Sequence, residues 1–573
     1  MKSMNIYRKI VLLSVTVLAT LMTSCTDFLT IIPPDRIVHE QFWQTKDDVN
    51  GMLATSYLKL ATTDAVSKAI IWGELRADNI TFESGKSKDD PIRYIVEANI
   101  NEENTYTKWG IFYEAINYAN LVIEYAPLVV ERDPDFGEGD LNVVVGEMYA
   151  MRALCHFYLL RTFRDIPMAL SPAINDSELP AYEQVHPLEA LDFIMQDLDR
   201  AENMVMLTYS DPKSNYGRIT RNAVLAMKAD VNLWRAAFTT YYSKNGDSHE
   251  LAKANVQSYY SACIDNCQAV LNNIDKIHES KESNFGKNQN EDELPYHLIS
   301  NHDENAIKNE TFQSKVYDEI FGSENSDESI FELQIDQKLC EGYSQGLTTM
   351  YGHKDAIGHL EVPRSFMNKY EKDDLRKYSY TNFPYATGAA DPEKLRVAKY
   401  ISKESPTPET WRAQKDIDAN WIVYRQTDVM LMMAEALVLQ PSVNNNDIKK
   451  SFEIVNLINT RSRVDTTNVR NPLRMPADAT TAVELVLDER VRELAFEGKR
   501  WYDLVRKALR ENTTDNIKFV ADKLTSNVTS LKNKMLKIDN LFLPIYIDEL
   551  RFNKNLVQNP AYESKDSSIG MNK

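Results

Sequence analysis

Cysteine, glycine, positive charge and long apolar runs are all scarce in this chain, and each shortage closes off a class of protein. Five cysteines in 573 residues are too few for a disulfide framework. Eighteen glycines fall well below the usual ~7% of a globular chain, which points away from turn-rich β architectures and toward helices. Lysine and arginine number 65 against 84 acidic residues, for a formal charge of −19. A surface that acidic repels phosphate backbones and anionic lipid, so no nucleic acid is expected as a partner. The nine histidines form no HExxH or other ligand spacing. Past the N-terminus, no stretch reads as apolar enough to span a bilayer, which takes ~20 residues.

The N-terminus sets the expected compartment. Lys2, Arg8 and Lys9 precede an apolar run from Ile10 to Leu21, and Leu21-Met22-Thr23-Ser24-Cys25 follows. That run is too short to span a membrane and reads as a secretory signal over residues 1–24. Small residues before a cysteine resemble a lipobox, which makes Cys25 the expected lipidated start of a mature chain, 25–573, with lipid as its only membrane anchor. Cys263 and Cys267 sit four apart on one expected helix face, and without two nearby ligands they read as core thiols.

Helical periodicity dominates 25–277 and returns over 421–573. Ile111, Ala115, Tyr118, Val122 and Tyr125 repeat at 4-3-4-3, and Val224, Met227, Val231, Trp234 and Phe238 at 3-4-3-4. The expected fold is all-α dominated, with about four tetratricopeptide-like helical hairpins. The expected pairs are 40–60 with 109–126, 141–163 with 187–204, 220–242 with 253–274, and 424–440 with 447–462. Trp43, Trp109, Trp234 and Trp501 fall in helical segments and read as core. Between 278 and 420, short β-like runs such as Ile330-Phe331-Glu332-Leu333-Gln334 mix with polar residues and prolines. This reads as loops and small strands laid on the scaffold, a common place for binding function.

Several segments, in order, resemble the SusD/RagB-like outer-membrane nutrient-binding lipoproteins of Bacteroidetes. They are Cys25-Thr26-Asp27-Phe28-Leu29 with Pro33-Pro34, Phe42-Trp43, WGIFYEAINYAN from Trp109, and GEMYAMRALCHFYLLRTFRDIP from Gly146. RQTDVMLMMAEAL from Arg425, Asn459-Thr460-Arg461-Ser462-Arg463, ERVRELAFEGKRWYDL from Glu489, and Asn555 to Tyr562 complete the set. The resemblance spans nearly all of the mature chain as a single domain. It implies a non-catalytic surface receptor that captures an oligosaccharide, or in one branch a peptide, beneath which sits a SusC-like TonB-dependent transporter. It also implies that loops in 81–106 and 278–420 build the ligand platform.

Other chemistry is weakly encoded. Gly342-Tyr343-Ser344-Gln345-Gly346 fits a nucleophile elbow, but the residues after it make a poor helix start. Glu489, Arg490, Glu493 and Glu497 could suggest paired glycosidase carboxylates, yet their spacing reads as surface or interhelical ion pairing. Asp133 to Asp140 lacks the full calcium-loop pattern and reads as an acidic loop leading into a helix. No cofactor is expected, and calcium is unsupported. Sugar binding asks for rings to stack on a pyranose C–H face and for polar side chains to meet its hydroxyls. Arg93, Tyr94, Asn101, Tyr296, Tyr343, Tyr351 and Trp411 are the expected ligand residues. A surface glycoside hydrolase and an envelope scaffold without small ligand are the competing readings.

Overall fold

Capping residues open the helical body. Thr45 accepts from the Asp48 amide, and the Asp48 carboxylate accepts from Thr45 N at 2.8 Å. This reciprocal box starts α1, Lys46–Leu60. The structure is a computed structural model, described from Phe42 to Tyr562 except for 84–85, 88, 175–180, 286–293, 302–313, 336–344, 354–355, 383–394, 403–411, 413–417, 466–468, 470 and 516–534. Cys25, Tyr343 and Trp411 therefore lie outside the described residues.

Along the chain follow α2 (Thr63–Glu74), β1 (Thr81–Phe82), α3 (Pro91–Val96), α4 (Gly110–Tyr125) and α5 (Glu138–Phe163). Then come β2 (Ile166–Pro167), β3 (Gln184–Val185), α6 (Pro187–Glu202), α7 (Arg221–Lys244) and α8 (Val256–Phe285). The middle of the chain gives β4 (Ser329–Leu333), α9 (Gly346–Tyr351), β5 (Leu360–Glu361) and β6 (Trp421–Arg425). The last part holds α10 (Gln426–Leu439), α11 (Asn445–Arg461), α12 (Ala479–Glu493), α13 (Arg500–Glu511) and α14 (Ile547–Phe552).

The expected hairpins form: α1 packs on α4, α5 on α6, α7 on α8, and α10 on α11. Apolar side chains three and four apart bury one stripe of the outer helices against their partners, while α5 and α10 are buried nearly all round. Ion pairs reinforce the match, as where Arg152 of α5 grips Asp197 of α6 through two bonds of 2.7 Å. Trp43, Trp109, Trp234 and Trp501 are buried in the shared core, as are the free thiols of Cys155, Cys263 and Cys267.

Three details differ from the sequence reading. The last hairpin begins at Gln426, because 421–425 is a strand, β6, paired antiparallel with β4. The helix α2 carries no readable stripe because every residue from Ala65 to Glu74 is buried. And α5, at 26 residues, is long and apolar enough by length and composition to cross a bilayer, contrary to expectation; 89% of its apolar window is buried within the protein, as for a central core helix.

The acidic loop before α5 tethers that helix to α1. Asp133 accepts from Lys46 N at 2.7 Å and from Asp135 N at 2.9 Å, and Asp140 pairs with Lys46 Nζ at 3.1 Å. No group of three His, Cys, Asp or Glu side chains is placed to hold a metal among the described residues.

Buried His156 ties α5 to the chain beyond it. Its Nδ1 lies 3.0 Å from the Arg152 carbonyl, to which it donates, and its Nε2 accepts from Ala169 N at 3.2 Å. Burial and the nearby Arg152 guanidinium lower its pKa to about 3. The unfolded chain binds this proton near pH 6.5 and the folded chain does not, so stability is lost as pH falls from 6.5 toward 3. At pH 5 the loss through this one group is about 2 kcal/mol. Urea unfolding of the wild type and His156→Gln at pH 7.5 and pH 5 checks this: the wild type should lose about 2 kcal/mol more than the variant, and equal losses would refute it.

Candidate ligand-binding face

Two loop regions far apart in sequence are stapled together. β1 pairs antiparallel with β5, placing Thr81 opposite Glu361 and Phe82 opposite Leu360. Glu83 N donates to the His359 carbonyl at 2.8 Å. Asp90 works at both ends of the junction: one carboxylate oxygen caps α3 through Ile92 N at 2.9 Å, and the other lies 2.7 Å from His359 Nδ1. The Phe82 ring meets the His359 ring at a centroid distance of 6.5 Å. The pairing holds β1 and, through Asp90, the start of α3 on the scaffold before any ligand arrives, which lowers the ordering entropy of binding.

That loop carries three of the expected ligand residues. Arg93 and Tyr94 are half-buried on α3, and Asn101 is exposed beyond it. Arg93 Nε pairs with Glu97 at 2.8 Å, holding the guanidinium at the surface. The Asn101 side chain accepts from Glu103 N at 3.2 Å, closing a turn and leaving its amide group as a donor. The half-exposed ring of Phe82 adds a flat apolar surface.

Of the other expected residues, Tyr296 and Tyr351 are described and are not gathered here. Tyr296 sits in a 3₁₀ turn, Pro295–His297, that packs against α8, and its carbonyl accepts from the Gln426 side chain. Tyr351 corrects the sequence reading: it is fully buried, its hydroxyl donates to the Phe496 carbonyl at 3.0 Å, and its ring stacks on Tyr400. A ring that packs beneath a loop has no face left for a ligand. Asp90 and His359, which join the two loops, were missed; the available signal was an Asp before Pro91, which marks a helix cap.

The other candidates resolve into structure. Contrary to expectation, a helix, α9, does follow the Gly342–Gly346 motif. Gly346 is explained by packing: a Cβ there would lie 2.9 Å from the Val66 side chain of α2. The nearest preceding strand among the described residues, β4, ends at Leu333, too early for a strand–turn–helix elbow. Glu489, Glu493 and Glu497 are buried and bonded to arginines from other segments. Those arginines hold the Glu493 carboxyl well below its usual range, despite the opposing push of burial. An enclosed carboxylate whose pKa is held well below the usual range is unsuited to serve as the protonated acid of a glycosidase.

Stacked helical hairpins with two distant loop regions stapled together define a helical-repeat protein. Residues 236–562 match the SusD family and residues 28–233 a family described as starch-binding, associating with outer membrane. SusD-like protein P38 of Formosa agariphila is 26% identical over 503 residues, covering 85% of this chain and 88% of that protein. SusD-like protein P2 of the same organism is 23% identical, covering 95% and 98%. Among solved structures, a SusD homolog from Bacteroides thetaiotaomicron superposes with a TM-score of 0.67 at 17% identity, covering 91% of this chain and 98% of the other. A laminarin-binding SusD-like protein superposes at 0.62 with 21% identity, covering 91% and 100%. The chain belongs to the SusD family.

Proposed function

We propose that this protein is a non-catalytic surface receptor that captures an oligosaccharide and delivers it to a SusC-like TonB-dependent transporter, held at the outer membrane by lipid on Cys25. The observation that carries the reading is the β1–β5 junction, which presents Phe82, Arg93, Tyr94 and Asn101 on one preorganised loop. Rings and uncommitted polar groups on such a loop suit a ligand with both C–H faces and hydroxyls. A starch-binding family description and a laminarin-binding structural neighbour support the ligand class. Burial of the tempting glutamates within ion pairs supports the absence of catalysis.

Calorimetric titration of the full chain against a glycan panel tests this. The expected result is binding without product release, weakened roughly tenfold or more, about 1.4 kcal/mol, by Phe82→Ala with Tyr94→Ala. Binding to oligopeptides with silence toward every glycan would replace the ligand class, and reducing ends released by purified protein would overturn the receptor reading.

A further inference from the structure

A concave feature of about 490 Å³ lies where α4, the chain leaving β2, and α14 meet. Tyr113 and Tyr118 of α4, Tyr182 ahead of β3, and Phe552 at the end of α14 contribute rings, and Glu114 and Glu549 contribute carboxylates. Phe552 is 70% exposed, a large ring standing in water. Tyr113, Tyr118 and Tyr182 are half-buried. A cleft of this size falls within the ~300–1,000 Å³ range of small-ligand sites.

The wall behind these rings is rigid, and its backbone groups are already used. Asn120 Nδ2 donates to the carbonyls of Ala169 and Ser171, each at 3.0 Å. Asn117 donates to Ala173 O at 3.1 Å and accepts from Ala173 N at 2.7 Å. Ala169 N is taken by His156. A peptide strand added here would find the main-chain groups of Ala169 and Ala173 and the Ser171 carbonyl already taken, which weakens the usual source of affinity for such docking. The remaining recognition groups are ring faces, hydroxyls and carboxylates. No lysine, arginine or histidine lines the cleft among the described residues. Glu114 is paired with Lys59 Nζ at 2.6 Å, a lysine that also lies 5.7 Å from the Tyr118 ring centroid. Both carboxylates keep lone pairs for hydroxyls, and Glu549 disfavours an anionic ligand.

We propose that this cleft is a second saccharide site, taking the end of a neutral oligosaccharide between the tyrosine rings and Phe552. The loop face at β1–β5 shares no residue with it, and this inference stands whether or not that face binds sugar.

The test is titration of the full chain with neutral laminari-, malto- and xylo-oligosaccharides and with anionic alginate oligosaccharides. The variants are Tyr182→Ala with Phe552→Ala, Phe552→Ala alone, and Phe82→Ala with Tyr94→Ala. The expected result is a neutral-glycan binding event weakened roughly tenfold by both cleft variants, at unchanged melting temperature, and retained in the loop-face variant. Phe552→Ala alone, at a ring already in water, keeps the readout clear should the double variant unfold. The inference is overturned if no neutral oligosaccharide in the set shows binding sensitive to the cleft variants, or if cleft-dependent binding prefers alginate. Loss of binding in the loop-face variant alone would uphold the loop reading and reject the cleft.

Discussion

Glu493→Gln is expected to destabilise the protein by roughly 3–5 kcal/mol, the range for removing one partner of a buried ion pair. Three guanidinium groups converge on this carboxylate: Arg425 at 2.8 Å, Arg461 at 3.0 Å and Arg376 at 2.9 Å. They come from β6, from the end of α11, and from a short helix, Arg376–Ser379, in the segment between β5 and β6, so one side chain of α12 fastens three segments. Glutamine offers one acceptor oxygen and turns an NH₂ group toward cations, leaving positive charge buried without a match. The Glu493 carboxyl is held well below its usual range, the nearby arginines overcoming the desolvation that burial imposes. Its contribution is therefore present above an unfolded pKa near 4.5 and is lost only as pH falls below that value toward the folded pKa. Urea unfolding at pH 7.5 measures the effect, and a loss under about 1 kcal/mol would mean the network is incidental to stability.

Gly73→Ala should have the opposite sign from what helix propensity alone gives. In an exposed helix interior, alanine would stabilise by about 1 kcal/mol. Here an ideal Cβ on Gly73 would lie 1.9 Å from the Gly498 carbonyl oxygen and 2.5 Å from its carbon. Backbone cannot rotate away as a side-chain tip can. Gly498 is itself fixed in the left-handed region, at φ +68°, where it too approaches α2. The same crossing anchors α13, because the Glu74 carboxylate accepts from Phe496 N at 2.7 Å, Lys499 N at 3.1 Å and Arg500 N at 3.3 Å. Separating the segments to admit a methyl group would lengthen these bonds as well. The expected loss is about 3 kcal/mol, the upper end for overpacking, read as a lower denaturation midpoint. A midpoint at or above that of the wild type would show that the close approach carries no constraint.

These two sites mark the limit of what the sequence discloses. The hairpins were legible where a helix keeps one face wet, as α4, α6, α8 and α11 do, so that the apolar stripe has a period; α5 and α10 are buried nearly all round and are marked by their length and apolar content. The helix α2 has no such contrast, being enclosed on all sides by α9, α13 and its neighbours. The boundary between β6 and α10 was invisible for the same reason: residues 421–438 are buried almost without interruption. Spacing on α12 suggested surface or interhelical ion pairs for its glutamates but could not name the partners: Arg425 and Arg461 sit in other elements, beside the local Arg492.

At the candidate face, residue type was informative and residue position was not. Arg93, Tyr94 and Asn101 lie on a surface loop, as polar surroundings suggested. Tyr351 comes from an equally polar stretch and packs inward, a distinction only tertiary contacts reveal. Tyr113 and Tyr118 belong to an apolar helix and Tyr182 to a polar stretch far from it, and it takes the arrival of the C-terminal α14 to turn them into a cleft wall.

The most direct test of saccharide capture at the stapled loops is amide hydrogen exchange of the full chain with and without a bound glycan. Slowed exchange over 81–83, 90–101 and 359–361 in the bound state is the predicted result. Saturating glycan that leaves those amides exchanging at their free rate would contradict it.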